Sequence, residues 1–362
     1  MTKNVYIHIP FCKSKCNYCS FISFPKPELK EQYLKALKME IKTLYKGEIL
    51  KTLYIGGGTP SLLTADEIKN IYDLFNTTSQ TEITTELNPE NITLEYLKAL
   101  KDIGINRLSF GCQTFDQNIL KIIGRKHSPN DVINTVKTAQ DAGFENISLD
   151  LIYGLPDQDT TIFENDLNKA IKLNIQHISL YGLKIDEGCY FYKNQPQNLP
   201  DNDLQANMYE NAIKILTENE FEHYEISNFS KPGYYSKHNL NYWYNNSYYG
   251  FGVAAHGYQN KTRYYNTSSL EKYICNPIEH EEINELSQQE ILEEEIFLGL
   301  RKLKGINYKN INKKFNIDFE KKYEKILTKY LKYGYIIKDK VHYRLSEKAI
   351  PVSNFILADF LE

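Results

Sequence analysis

The chain has 362 residues, 41% hydrophobic and 25% charged, with a formal net charge of −3. That length suits one large domain with a smaller one attached, and with six cysteines in so long a chain it excludes a small secreted disulfide scaffold. No charged segment followed by an apolar run opens the sequence and no apolar stretch reaches membrane-spanning length, so a cytoplasmic setting is expected.

Val5–Ile9 reads as the first strand and feeds directly into His8-Ile-Pro-Phe-Cys-Lys-Ser-Lys-Cys-Asn-Tyr-Cys-Ser-Phe21. Cys12, Cys16 and Cys19 stand there at C-x3-C-x2-C spacing with no fourth ligand nearby. Three thiolates on one loop can hold three irons of a [4Fe-4S] cluster and leave the fourth open, whereas a structural zinc site needs four protein ligands. Cys112, Cys189 and Cys275 are scattered and read as buried or incidental thiols.

A helix over Tyr33–Tyr45 follows, with Leu34, Leu37, Ile41 and Leu44 on one stripe. Thr52–Ile55 is the second strand, and Thr64-Ala-Asp-Glu67 predicts a capping box opening a helix to Phe75. Ile83–Leu87 and Arg107–Phe110 are the next strands, each followed by helical periodicity. Ile147–Ile152 and His177–Leu183 are the fifth and sixth, separated by a helix over roughly 162–173. Six such repeats predict an α/β fold, a partial (β/α)6 TIM-like barrel over residues 1–185. Gly56–Thr59, Glu86 and Asn88, Gln113, and Asp150 with Tyr153 and Gly154 all fall where strands end. A polar residue at one strand end is ordinary punctuation, but several loops together mark the C-terminal edge that carries a barrel's active site.

After Leu183 the sequence is expected to be loop-rich, with one helix near Leu204–Thr217, the run His238-Asn-Leu-Asn-Tyr-Trp243, and a buried strand or turn over Gly250–His256. Residues 186–286 form this extension. From 287 to 362 a small helical, winged-helix-like domain is expected, with a helix over 290–300 and a hairpin over Tyr335–Leu345. Residues 301–340 carry thirteen Lys/Arg against four Asp/Glu. Such a run is more often a solvated face than a nucleic-acid site, and nucleic-acid binding is not expected.

Cys12, Cys16, Tyr18 and Cys19 resemble the C-x3-C-x-aromatic-C signature of radical S-adenosylmethionine proteins, and from Tyr6 onward the chain is similar to the oxygen-independent coproporphyrinogen III oxidase group within them. The resemblance implies a cluster on the three cysteines whose open iron takes the methionine end of S-adenosylmethionine, the sulfonium being cleaved by one electron. It further implies cofactor contacts from Tyr6, Tyr18, Gly57, Gly58, Thr59, Glu86, Gln113, Arg125 and Asp150. Glu86 is suited to the methionine ammonium or the ribose hydroxyls, and Arg125 to a bidentate grip on the carboxylate. Tyr18 is expected to stack near the adenine, with Lys184 and His256 beside it, the latter two mainly through main-chain contacts.

Two departures separate the chain from the oxidase branch. Phe21 stands where that branch has a further cysteine, and little sequence precedes the first strand. Both match the HemW branch of haem chaperones, whose His-Asn-x-x-Tyr-Trp signature is present as His238, Asn239, Tyr242 and Trp243. The resemblance therefore implies haem as ligand, with His238 as axial donor and the aromatics covering the macrocycle. It also implies a donor such as flavodoxin or ferredoxin and haem-accepting apoproteins, some of them at membranes, and it is compatible with a homodimer. The alternatives are coproporphyrinogen decarboxylation and a binding protein whose cluster is only structural.

Overall fold

The computed structural model describes residues 1–361. Six parallel strands, β1 (Asn4–Ile9), β2 (Thr52–Gly57), β3 (Glu82–Leu87), β4 (Arg107–Gln113), β5 (Ile147–Tyr153) and β6 (His177–Gly182), lie side by side in chain order. Residues facing outward on alternate positions, such as Val5, Ile7, Leu53, Ile55, Leu149 and Ile178, are fully buried and form the main core under the helices. The helices begin where the sequence supplies caps. Thr64 and Glu67 close the expected capping box, Ser128 and Asp131 close a second, and Asp159 caps the helix Thr160–Lys172.

The inward positions are different in kind. Tyr6 and His8 on β1, Tyr54 on β2, Glu86 on β3, Ser109 on β4 and Asp150 on β5 turn polar groups into the lumen. A barrel interior is usually filled by branched apolar side chains. This one is lined for a polar guest.

The segment expected to be loop-rich contains more regular structure than its sequence suggests. β7 (Glu222–Glu225) and β8 (Asn228–Ser230) add antiparallel strands beyond β6, and β9 (Tyr249–Phe251) pairs parallel to β1. The sheet therefore has nine strands, in the order β7-β8-β6-β5-β4-β3-β2-β1-β9, and its two ends do not meet. β10 (His256–Gln259), β11 (Thr262–Asn266) and β12 (His280–Glu285) form a separate antiparallel sheet. The run beginning at His238 is a helix, Lys237–Trp243, capped by Ser236.

A helix over Gln288–Gly299 opens the C-terminal part with a capping box of Ser287 and Glu290. Helices Tyr308–Phe315, Phe319–Lys322 and Glu324–Lys332 follow, with a small sheet of β13 (Ile306–Asn307), β14 (Ile336–Asp339) and β15 (His342–Leu345). This part has its own core, including Ile296, Phe319, Tyr323, Tyr343 and Phe360. It meets the remainder through hydrogen bonds from Ile226 N–H to Arg301 O and from Leu303 N–H to Tyr224 O, and through the Arg263–Glu294 ion pair. No helix among the described residues is long and apolar enough to cross a membrane.

Candidate functional site

The cysteine loop leaves β1 at the C-terminal end of the strand and is pinned at several points. Cys12 N–H donates to Phe24 O, Asn17 N–H to Ile123 O, and Asn17 Nδ2 to Ile122 O at 2.8 Å. Two sulfurs are joined by a chain of polar contacts. Asn88 Nδ2 donates to Thr59 Oγ1 at 3.3 Å, which lies 3.3 Å from Cys12 Sγ. Arg125 Nη2 donates to Asn88 Oδ1 at 3.1 Å and to Gly111 O, while Nη1 reaches Cys16 Sγ at 3.6 Å. A hydroxyl thus lies against one sulfur and a guanidinium against the other. Burial pushes the Cys19 thiol up to about 11, a charge cost that a coordinating metal removes.

These features fit an iron–sulfur cluster. All three cysteines are half-buried and none is in a disulfide. Among the described residues no three His, Cys, Asp or Glu side chains converge as ligands of a single ion; in a four-iron cluster each thiolate holds its own iron, so loop spacing is the relevant criterion. The glycine loop beside them is tightly fitted. A Cβ on Gly57, at φ +111, would lie 2.5 Å from His8 Nδ1, and one on Gly58 would lie 2.7 Å from Phe11 O. The backbone of this loop therefore approaches the cysteine loop as no side-chain-bearing residue could.

Deeper in the lumen, Glu86 accepts from Tyr54 Oη at 2.6 Å and from Gly57 N–H at 3.0 Å. Burial outweighs both bonds and raises its carboxyl to about 7. Burial likewise raises Asp150, which accepts from Ser109 Oγ at 3.2 Å. Gln113 sits at a β-bulge between β4 and β5 with φ +68, a left-handed backbone characteristic of functional strand ends. Tyr6 Oη lies 3.0 Å from His8 Nδ1. The structure thus gathers Tyr6, Gly57, Gly58, Thr59, Glu86, Gln113, Arg125 and Asp150 around one strand-end region.

Several expectations need correction. Both Nη atoms of Arg125 already serve Cys16, Asn88 and Gly111, so its fork is not free for a bidentate carboxylate. Tyr18 is partly buried and packs against an apolar cluster of Ile119, Leu120 and Phe191. Lys184 needs no correction: its side chain is 80% exposed and pairs with Asp186 at 2.9 Å, leaving the main chain, the part expected to face the cofactor. His256 is exposed on β10.

The His238 ring is not available to a haem iron. His238 is 1% exposed, Nδ1 is bonded to Thr52 Oγ1 and Nε2 to Tyr242 Oη, both at 2.8 Å, and the ring stacks on Tyr54 at 4.9 Å. Neither nitrogen is left for iron. Burial lowers its pKa to about 3, which keeps the ring neutral. The Asn239 N–H is spent on the Ser236 cap, and Trp243 lies under Arg301 with its carbonyl accepting from Lys302. The motif closes the N-terminal end of the barrel. Sequence reasoning missed His8 and Tyr54, which the period-two alternation of β1 and β2 puts on the lumen side with Tyr6.

The profile of the Radical SAM superfamily matches residues 6–170, and that of the HemN C-terminal domain matches residues 286–352. The heme chaperone HemW of Bacillus subtilis is 38% identical over 99% of both chains. The chain belongs to the HemW family. A second HemW, from Lactococcus lactis, is 37% identical over 99% of this chain and 97% of its own. Coproporphyrinogen III oxidase (HemN) from Escherichia coli superposes with a TM-score of 0.88 at 22% identity, covering 99% of this chain and 90% of that one. That likeness shows a shared fold, while membership of the HemW family rests on the two full-length relatives.

Proposed function

We propose that this chain is a radical-S-adenosylmethionine-type haem chaperone, which binds haem and passes it to apoproteins in the cytoplasm or at a membrane surface. The observation that carries this reading is the end-to-end similarity to proteins named heme chaperones, together with Phe21 where the oxidase branch has a cysteine. Cys12, Cys16 and Cys19 would hold the [4Fe-4S] cluster, which when bound supplies one-electron chemistry toward S-adenosylmethionine.

Around that cluster the side chains have distinct tasks. Thr59 Oγ1 against Cys12 and Arg125 Nη1 against Cys16 would orient the two sulfurs toward the cluster. The bare backbone of Gly57 and Gly58 would leave room for the methionine end of the cofactor, and Glu86 would accept from its ammonium. Gln113, Asp150 and Tyr6 offer polar contacts to the ribose and methionine. A one-electron donor such as flavodoxin or ferredoxin would reduce the cluster, and a second copy of the chain is a further candidate partner.

Anaerobic reconstitution followed by two assays on one sample tests the proposal. Stoichiometric haem binding by absorbance, without loss of carbon dioxide from coproporphyrinogen, is the expected result. Decarboxylated product would replace the chaperone with the oxidase.

A further inference from the structure

Three histidines bear on the lumen, and they differ in what their ring nitrogens do. His238 spends both on hydroxyls, and His8 spends Nδ1 on Tyr6 and Nε2 on Ile22 O. His256 has no hydrogen-bond partner among the described residues and is exposed at the start of β10. It lines a cavity of about 360 Å³ with Phe21, Tyr248 and Tyr265, and with Tyr6 and Tyr242. The His256 and Tyr265 rings lie 4.4 Å apart, and Tyr242 meets Tyr248 edge-on at 4.7 Å.

Phe21 is the least expected member of this set. It follows the cysteine loop, is 67% exposed, and lies on the rim of the cavity, where its ring is free to pack on an apolar guest. The cavity has aromatic walls, no lysine or arginine in its lining, and a single imidazole with unengaged nitrogens. Those are the recognition elements for a flat metal macrocycle: π faces to cover its plane and a neutral nitrogen for its iron. With no cation in the lining, the propionates of the macrocycle would point out to solvent. Partial burial lowers the His256 pKa, so the lone pair stays available at neutral pH.

We infer that haem docks in this cavity beside the cysteine loop, with His256 as the axial ligand of its iron and Phe21 and Tyr265 against its faces. The inference rests on the haem-chaperone reading and moves the ligand away from the His238 helix. Main-chain contact of residue 256 with the adenosyl cofactor is compatible with it, because the imidazole is the only part the haem uses.

The experiment titrates haem into the full-length, anaerobically reconstituted protein and follows the Soret band and the spin state of the iron. His256→Ala is expected to weaken binding by about tenfold or more and to abolish the histidine-ligated spectrum, while cluster content stays at the wild-type level. Added imidazole should restore the spectrum by filling the vacated axial position. Phe21→Ser should weaken binding while leaving the ligated spectrum intact. Unchanged affinity and spectrum in His256→Ala would overturn the inference while leaving the chaperone reading standing. Absence of haem binding by the wild type would instead remove that reading, and the inference with it. If His256→Ala weakens only S-adenosylmethionine, the cavity belongs to the nucleoside and the inference fails.

Discussion

His238 shows why a motif histidine cannot be assigned from its neighbours alone. Its imidazole bridges Thr52 at the start of β2 and Tyr242 one helical turn away, so its removal leaves the Tyr242 hydroxyl without that partner, Thr52 with only Asn4, and a hole beside Tyr54. We expect His238→Ala to cost about 2–4 kcal/mol in urea unfolding, with haem still binding at temperatures where the variant is folded. Loss of the ligated haem spectrum in a fully folded His238→Ala protein would restore the motif histidine as ligand. Arg125 is a positioning residue of another kind. Its planar fork meets Gly111 O, Asn88 and Cys16 together, a geometry that lysine's single ammonium cannot copy. Arg125→Lys should therefore fold normally and lose its cluster in air several-fold faster, as followed by cluster absorbance. Equal decay rates would mean that the Cys16 contact contributes nothing to retention.

The helix Lys237–Trp243 is too short to stand alone, and its N-terminus is held from two sides. Ser236 caps it, and Glu82 at the start of β3 accepts from Lys237 N–H and His238 N–H at 3.0 and 2.9 Å. Glu82→Ala should cost about 1.5–3 kcal/mol, roughly twice the effect of Ser236→Ala, and hydrogen exchange should localise the loss to residues 237–243. The contrast in how readable the elements were follows the same logic. β1 to β6 were legible because Val5–Ile9, Ile147–Ile152 and their counterparts bury apolar residues at period two, and the helices between them carry visible caps. β12 reads His-Glu-Glu-Ile-Asn-Glu and β8 has only three residues; they are strands because a neighbour pairs with them, and nothing in their own hydrophobicity announces it. The site was legible where glycines and cysteines have one chemical use. Arg125 and Tyr18 differ from expectation in their contacts, because residue type gives neither the direction of a long side chain nor the claims neighbours make on it.

Across the whole molecule, two sets of buried groups pull stability in opposite directions with pH. Burial lowers His8, His127 and His223 to about 4 and His238 to about 3, and holds His177 well below its ordinary value. Neutral when folded and charged when unfolded, they contribute stability that is intact above pH 6.5 and is lost as pH falls. Burial raises Glu40, Glu86 and Glu225 to about 7 and Asp166 to about 6. Their contribution is intact at low pH and is lost as pH rises toward 7. The sets oppose each other between about pH 4.5 and 6.5, where stability should change little. Below that window the histidines still lose stability, and carboxylates held low by partners, such as Asp131 beside Ser128 and Asp359 beside Lys329, lose theirs as well, so stability should fall, by up to about 1.4 kcal/mol per buried histidine per pH unit. Urea midpoints from pH 7.5 to 3.5 check this, and an even slope across the range would contradict it. The sheet that organises these groups stops short of closing, with β9 and β7 at its ends. No ladder hydrogen bonds join those two edges, so the chain between β8 and β9, anchored through the helix Lys237–Trp243 to Thr52 and Glu82, is what ties one edge of the barrel to the other.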